Sequence, residues 1–492
     1  MVGIVIRIVR TKAMAVLLGP TGFGLFGVYG SIEIFAENIA GMGVNSSGVR
    51  QIAEAAVSGD DRKIARTVAV LRRTSLVLGL IGAALLIACS RQVSTWTFGG
   101  PQKAASICLL SLAVLFQLVS YGQDALIQGM RRIADLARVG ILGSILGTII
   151  SLPVIYFLRA DGVALSFVIV AAMNILISWW YSRRIKIQVF RVTTSEIVEE
   201  ASALLKLGSV FMVGALLLSG VGYLVRLLII HKSGLEAAGL YQSAWTLGGL
   251  YVGLIIQAMG ADFYPRLSAA AADNALCNRL VNEQARVGLL LACPGVIATL
   301  SLAPIVTAVF YSPKFHAAVE VLRWICMGTT LQVVTWPIGF ILVAKGRRQI
   351  FFWCELACAA AYALLSWLFI YRYGLNGAGT AFFVYSAFHG VLHYPIVRYV
   401  SGFRLSPSNL REGAAFVVLI GAVDWALHAL PTVIGASLGI AVAILSGIYS
   451  IRTLATLTSG QIPRSVRKFM TRFGLISADA YELGLSGESG QF

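Results

Sequence analysis

The chain has 492 residues, of which 58% are apolar and only 12% charged, against about 25% charged in an ordinary soluble protein. Its net charge of +17 comes without the clustered cationic polar face or recognisable motif of a nucleic-acid module, so nucleic acid is excluded as a partner. Composition leaves a polytopic membrane protein with no large soluble domain.

Apolar runs of roughly 17 to 25 residues, each long enough to cross about 30 Å of hydrocarbon, recur along nearly the whole chain. They predict fourteen spans, near 2–18, 22–48, 70–90, 104–129, 139–158, 162–182, 207–230, 238–262, 285–311, 317–344, 350–371, 376–397, 412–429 and 432–455. The first run carries Arg7, Arg10 and Lys12 and ends in Leu18-Gly19-Pro20. These cations break it and no small-residue cleavage site follows, so it is expected to remain as a helix rather than be removed as a signal peptide.

A cation at mid-bilayer costs a few kcal/mol or more unless it faces water, a bundle interior or an anionic ligand. Arg7 and Arg10, three apart, share a helix face, with Lys12 about 140° round from Arg7. Two readings follow: the guanidinium groups point into a cavity, or Met1 lies at the cytoplasmic surface and Arg7 and Arg10 reach lipid headgroups. In the second span Glu33 and Glu37 are four apart beside Asn38. That pair could hold a proton or a cation, or neutralise Arg7 and Arg10. Asp124, Asp262, Glu355 and Asp424 are further candidate acids.

Connections after even-numbered spans, with the tail, hold 28 of the 39 Lys and Arg residues. The positive-inside rule therefore places both termini in the cytoplasm. The outer connections are short, which argues against an enzyme with an external catalytic loop. The longer inner connections, about 51–69 and 183–206, mix charge with apolar positions at helical spacing and read as surface amphipathic helices.

An internal repeat is visible. Gly24-Leu25-Phe26 matches Gly239-Leu240-Tyr241, and Asp161-Gly162 matches Asn376-Gly377, both at an offset of 215. Arg50 matches Arg266, and Arg131-Arg132 matches Arg347-Arg348, at 216. Six spans per copy is an even number, so the copies run the same way through the membrane. The expected fold is all-α: two six-helix bundles related by a parallel repeat, plus two extra C-terminal helices. The boundaries are 1–182 for the first bundle, 183–206 for an amphipathic connection, 207–400 for the second bundle, 412–456 for the added pair and 457–492 for a cytoplasmic tail.

The repeat gives the first helix a counterpart. Arg226, a lone cation in the seventh span, falls opposite Thr11, between Arg10 and Lys12. A pseudo-twofold axis would set the two basic helices across from each other, where substrate sites of such transporters lie. Lys12, Arg226, Arg7, Arg10 and Arg50 are thus the candidate cavity cations, and Glu33, Glu37, Glu355 and Asp124 the candidate ion-coupling acids. Arg suits phosphate because its planar fork grips oxygens in pairs and stays charged. The seven cysteines form no metal-spaced set along the sequence. His389 and His393 lack the Glu of a zinc-protease motif, so no metal, cofactor or catalytic site is expected.

Several short stretches carry a family resemblance. They are Lys12-Ala13-Met14-Ala15-Val16-Leu17-Leu18-Gly19-Pro20-x-Gly22-x-Gly24-Leu25, Pro265-x-Leu267-Ser268, Ser312-x-Lys314-Phe315, Ala344-Lys345, and Glu355 in the eleventh span. From about Ile6 to Arg404 the chain resembles the O-antigen translocases, lipid-linked oligosaccharide flippases of the multidrug/oligosaccharidyl-lipid/polysaccharide exporter superfamily. The resemblance implies a cation-lined cavity between two bundles that takes the diphosphate of a polyprenyl-linked oligosaccharide, an O-antigen or exopolysaccharide repeat unit, across a bacterial inner membrane by alternating access. Lys12 and Glu355 match a basic and an acidic position of that family. The implied partners are the lipid-linked glycan, membrane lipids, and a glycan polymerase with its export machinery. Spans 13 and 14 exceed the family's twelve-span plan, and the first helix is short for it. The competing readings are a peptidoglycan-precursor or drug exporter of the same superfamily, and a membrane glycan polymerase or ligase.

Overall fold

The structure, a computed structural model, describes residues 2–58, 60–185, 187 and 193–457. The expected tail and part of the 183–206 connection lie outside the described residues. Every regular element among them is helical.

α1 (Val2–Gly41) runs through Gly19, whose φ of 65° and ψ of −176° fit no helix. Residues 2–18 and 20–41 are therefore two helices joined at one residue. Glycine takes positive φ without steric cost. Proline directly after it opens a helix well, because its missing N–H would be unsatisfied there in any case. Leu18-Gly19-Pro20 thus compresses a stop and a start into three residues.

The expected second span, 22–48, ends earlier. Positive φ at Met42 and Gly43 breaks the helix after Gly41, and residues 44–48 open α2 (Val44–Ser58). Ile52 and Ala55 of α2 are buried in a cluster with Leu71, Leu126 and Leu204, while its other face is exposed. α3 (Asp61–Phe98) is capped by Asp60, whose carboxylate accepts from the Lys63 amide at 3.0 Å. Its 38 residues extend roughly 57 Å at 1.5 Å per residue, well beyond a hydrocarbon core, so the span near 70–90 is only its middle. α4 (Ala104–Gly129), α5 (Ile133–Leu158) and α6 (Gly162–Ser182) follow.

α7 (Thr194–Ala269) is broken at Gly234, with φ 84° and ψ 176°. After it come α8 (Asn274–Phe310), α9 (Ala318–Ala344), α10 (Arg348–Tyr373), α11 (Leu375–Ser401), α12 (Pro407–Ala429) and α13 (Thr432–Leu457). Among the described residues nine helical segments are long and apolar enough to cross a membrane. Three of these hold two spans each: Ile8–Gly41 and Phe211–Leu250 cross the glycine breaks, and Ile133–Ser182 contains α5 and α6. α11, with His389, His393 and Arg398, and α12, with Arg411, Glu412 and Asp424, have the length but are more polar. With those three divided and α11 and α12 added, the described helices other than α2 number fourteen, which is the number expected.

The duplication appears in backbone geometry as well as in sequence. Gly19 and Gly234, 215 apart, have the same unusual conformation. The turn after α4 bonds the Arg131 amide to Gln128 O and the Arg132 amide to Ile127 O. The turn after α9 bonds Gly346 to Val343 O and Arg347 to Leu342 O, and Arg131 and Gly346 both have positive φ. This register is 215, one residue from the 216 suggested by the arginine pairs. A Cβ on Gly162 would crowd Val154 O at 2.9 Å, and one on Gly377 would meet Phe369 O at 2.0 Å, so the same carbonyl eight residues back requires glycine in both copies.

The chain divides into two compact units. The first comprises the chain up to Ser243 with Thr307–Ala318 and Tyr362–Ala378. Its core sets Leu25, Val28 and Tyr29 of α1 against Ile107, Leu110 and Val163. The second comprises Ala244–Val306, Val319–Ala361 and the chain from Gly379 onward, with Phe263, Leu267, Ile338, Ile341 and Phe403 in its core. Within it α12 is fastened by Glu412, 3% exposed, which accepts from Arg286 Nε and Nη2 of α8 at 3.0 and 2.5 Å and from the Tyr449 hydroxyl at 3.3 Å. Removing one member of a buried ion pair strands the other. Glu412→Ala is therefore expected to lower unfolding stability by about 3 kcal/mol, measured by thermal unfolding in detergent; an unchanged midpoint would contradict this role.

Candidate functional site

The site is built where the two glycine breaks meet, inside the first unit. A Cβ on Gly24 would sit 2.2 Å from Leu235 O, and one on Gly239 would sit 1.9 Å from Pro20 O. Gly24 pairs with Gly239, and Pro20 with Leu235, at the repeat offset of 215, so the contact is reciprocal, as a pseudo-twofold axis requires. Only glycine on both helices allows backbones this close. Phe23 packs beside the crossing against Tyr311 and Phe315, ring centroids 5.4 and 5.8 Å away, all three fully buried.

Each copy then sets an arginine over an aromatic ring, the rings 215 residues apart and the arginines 216. Arg10 Cζ lies 5.9 Å from the Phe26 centroid, and Arg226 Cζ lies 5.6 Å from that of Tyr241. The electrostatics of the two copies differ. Arg10 is the cation acting on Glu33, which is on the other arm of α1. Arg226, 9% exposed, donates from Nε and Nη2 to Gln242 Oε1 at 3.1 and 2.7 Å and from Nη1 to Gly222 O at 2.8 Å. No carboxylate is within ion-pair distance of it among the described residues. The ionisable groups acting on it are the phenols of Tyr241 and Tyr362. Of the five N–H groups of a guanidinium, two remain for another acceptor.

The other candidates are more dispersed. Lys12 is exposed on a face shared with Val9 and Val16, turned away from Arg10. The side chains of Arg7 and Asp262 lie outside the described residues. Arg50 is on α2, exposed and paired with Glu54 at 2.8 Å. Glu37 is buried and accepts from the Tyr121 hydroxyl at 3.0 Å. It lines a cavity of about 290 Å³ with Asn38, Asn45, Ser46, Ser75 and Tyr121. Asp124 is half-buried on α4, beside Gln123, whose side-chain oxygen accepts from Ser178 at 2.5 Å. Glu355 lies in the second unit, its Oε1 3.7 Å from His393 Nε2.

The structure thus puts Glu33 within electrostatic reach of Arg10, bonds Glu37 to Tyr121, and leaves Lys12 and Arg50 on exposed faces. No motif singles out Gln242 or Tyr241. The signal for them is the repeat itself, since Phe26 and Gly27 are their counterparts and a Cβ on Gly27 would meet Gln242 Oε1 at 2.7 Å. Lys345, from the Ala-Lys motif, ties down the turn between α7 and α8 by donating to Ala271 O at 2.8 Å and Asn274 Oδ1 at 2.5 Å.

Residues 13–320 match the family described as polysaccharide biosynthesis protein, more than half of the chain. The chain belongs to that family. It is also 20% identical over 375 residues to the lipid III flippase of Escherichia coli (strain K12), covering 75% of this chain and 89% of the flippase. Its fold is shared with the lipid II flippase MurJ in an inward closed conformation, at TM-score 0.69 and 13% identity over 92% of this chain and 97% of that one. It is shared too with an inward-facing multidrug resistance MATE family transporter of the MOP superfamily, at TM-score 0.67 and 15% identity over 80% and 94%. This member of the polysaccharide biosynthesis family is accordingly a multi-pass membrane protein with the fold of that superfamily.

Proposed function

We propose that the protein is a flippase that moves a polyprenyl-diphosphate-linked oligosaccharide, an O-antigen or exopolysaccharide repeat unit, from the inner to the outer leaflet of a bacterial cytoplasmic membrane by alternating access. The observation that carries this is Arg226, a buried guanidinium in a membrane span with no carboxylate partner among the described residues and two N–H groups to spare. A buried unpaired cation is costly, and a diphosphate would supply both the missing charge and paired oxygens. The similarity to a lipid III flippase supports the same class of cargo. An exporter of organic cations would want the opposite charge at this position.

In this reading both termini are cytoplasmic, residues 1–182 and 207–400 are the two repeated bundles, and 412–456 is an added pair. The protein is a carrier, without catalytic residues. Lys12, Arg7, Arg10 and Arg50 supply further positive charge along the cargo's route, and a glycan polymerase and export machinery act after it. Glu33, Glu37, Asp124 and Glu355 are the coupling acids, with protonation of Glu33 freeing Arg10 for the cargo. Two negative charges moving outward against an interior-negative potential gain roughly 2.3 kcal/mol each per 100 mV, so the potential itself favours export.

Depleting the protein and identifying the accumulating lipid by mass spectrometry tests the proposal. A polyprenyl diphosphate bearing an unpolymerised sugar repeat, held in the inner leaflet, is the expected result. Accumulation of a completed polymer instead would point to a later step and refute the reading.

A further inference from the structure

Within the second unit, four side chains on two neighbouring helices converge in a way neither stretch of sequence discloses. Glu355 and Cys358 are three apart on α10, and His389 and His393 four apart on α11, so each pair shares a helix face. One ligand atom each from Cys358, His389 and His393 lies within 4.8 Å of the others. Glu355 Oε1 is 3.7 Å from His393 Nε2. We propose that Cys358, His389, His393 and Glu355 form a binding site for a borderline-soft divalent metal ion of the Zn²⁺ class.

The donor chemistry fits. A thiolate, two imidazoles and a carboxylate are a four-coordinate zinc set, and His-x₃-His is a spacing zinc sites use. Ligand atoms about 2.0–2.3 Å from Zn²⁺ lie roughly 3.3–3.8 Å apart, so about 1 Å of side-chain movement closes the cluster on an ion.

The second layer fits too. His393 Nδ1 donates to His389 O at 2.9 Å, and a ligating histidine characteristically gives its other N–H to a carbonyl or carboxylate. That leaves Nε2 of His393 with its lone pair free. It is fully buried, in a side chain 1% exposed, and has no hydrogen-bond partner among the described residues. Thr335 Oγ1, 3.2 Å from His389 Nδ1, holds the other ring, and the two rings stack 4.1 Å apart at 25°. Such an arrangement is costly for packed histidines alone, since a buried orphan nitrogen loses its hydration. A metal ion would give that nitrogen its partner.

Charge balance suits a membrane-embedded location. Binding releases the Cys358 thiol proton to solvent. The dication with one thiolate, one carboxylate and two neutral imidazoles is then neutral overall, which removes the desolvation cost of an isolated ion. The ion would clip α10 to α11, and binding only to the folded state would raise thermal stability. This site is independent of the cargo assigned above.

The test uses the full-length protein without a polyhistidine tag, titrated with Co²⁺ as a spectroscopic probe. Expected are about one Co²⁺ per chain, a thiolate-to-cobalt charge-transfer band, competition by Zn²⁺, and an upward shift in unfolding temperature. Cys358→Ser should lose the band while Cys293→Ser, a buried cysteine elsewhere, keeps it, and His389→Ala with His393→Ala should weaken binding at least tenfold. No charge-transfer band in the wild-type protein with excess Co²⁺ would overturn the proposal, whatever the variants do. So would a band that survives in Cys358→Ser.

Discussion

Arg226→Met is expected to cut glycan export about tenfold to a hundredfold, corresponding to about 1.5–3 kcal/mol for charged hydrogen bonds, while leaving the protein as stable as the wild type or more so. The combination is what distinguishes a binding cation from a structural one. An arginine held in place for the fold would lower stability on removal, whereas a buried charge without a counter-ion is relieved by an apolar replacement of similar size. Arg226→Lys should retain part of the export, because the charge stays and the planar fork is lost. Glu33→Gln separates the two copies: it removes the charge facing Arg10 and should change the dependence of export on proton gradient while leaving Arg226 intact. Complementation of an export-deficient strain, normalised to protein level, reads the effect. Wild-type export by Arg226→Met would remove the anion site, and an unaltered gradient dependence in Glu33→Gln would remove that acid from coupling.

The second large effect is at the helix crossing. Gly239→Ala and Gly24→Ala should each destabilise the protein by about 3 kcal/mol or more, beyond the usual cost of overpacking. Their Cβ atoms would stand 1.9 and 2.2 Å from backbone carbonyl oxygens, and a carbonyl held in a helix cannot swing aside as a flexible side chain could. Two other glycines grade the result. Gly19→Ala has open space but a φ of 65°, so backbone strain alone should cost about 1 kcal/mol. Gly249→Ala has no atom within 4 Å of the new Cβ and should be neutral or mildly stabilising in a helix. Unfolding midpoints in detergent that fail to rank Gly239 and Gly24 below Gly19, and Gly19 below Gly249, would refute the close crossing.

The resemblance motifs divide into those that act locally and those that act at a distance. Gly19-Pro20 ends a helix by its own backbone preference and reads correctly as a break, whereas its counterpart Gly234, lying between the spans expected at 207–230 and 238–262, carries no proline to mark it and shows only in the backbone angles. Gly24 and Gly239 also stand out as repeat landmarks, but their reason, a backbone crossing, involves two segments far apart in the chain. Lys12 heads the basic candidates by motif, yet the fold turns it to an exposed face with Val9 and Val16. Arg50 is a repeat landmark too, and the break at Met42-Gly43 carries it onto α2 and into an exposed pair with Glu54.

What this sequence determined unaided is whatever hydropathy and single-residue backbone preference control. Those are the membrane class, the expected spans, the break at Gly19-Pro20 and the duplication at 215. The first three depend on residues adjacent along the chain, and the last on matching one stretch of sequence with another. The tertiary structure alone decided which charges are compensated. Glu33 comes within electrostatic reach of Arg10, Arg226 bonds Gln242, and Glu355 and Cys358 meet His389 and His393. Such pairings depend on how each helix is rotated about its axis, where one residue of phase is about 100°. Only the packing of one helix against the next settles that rotation.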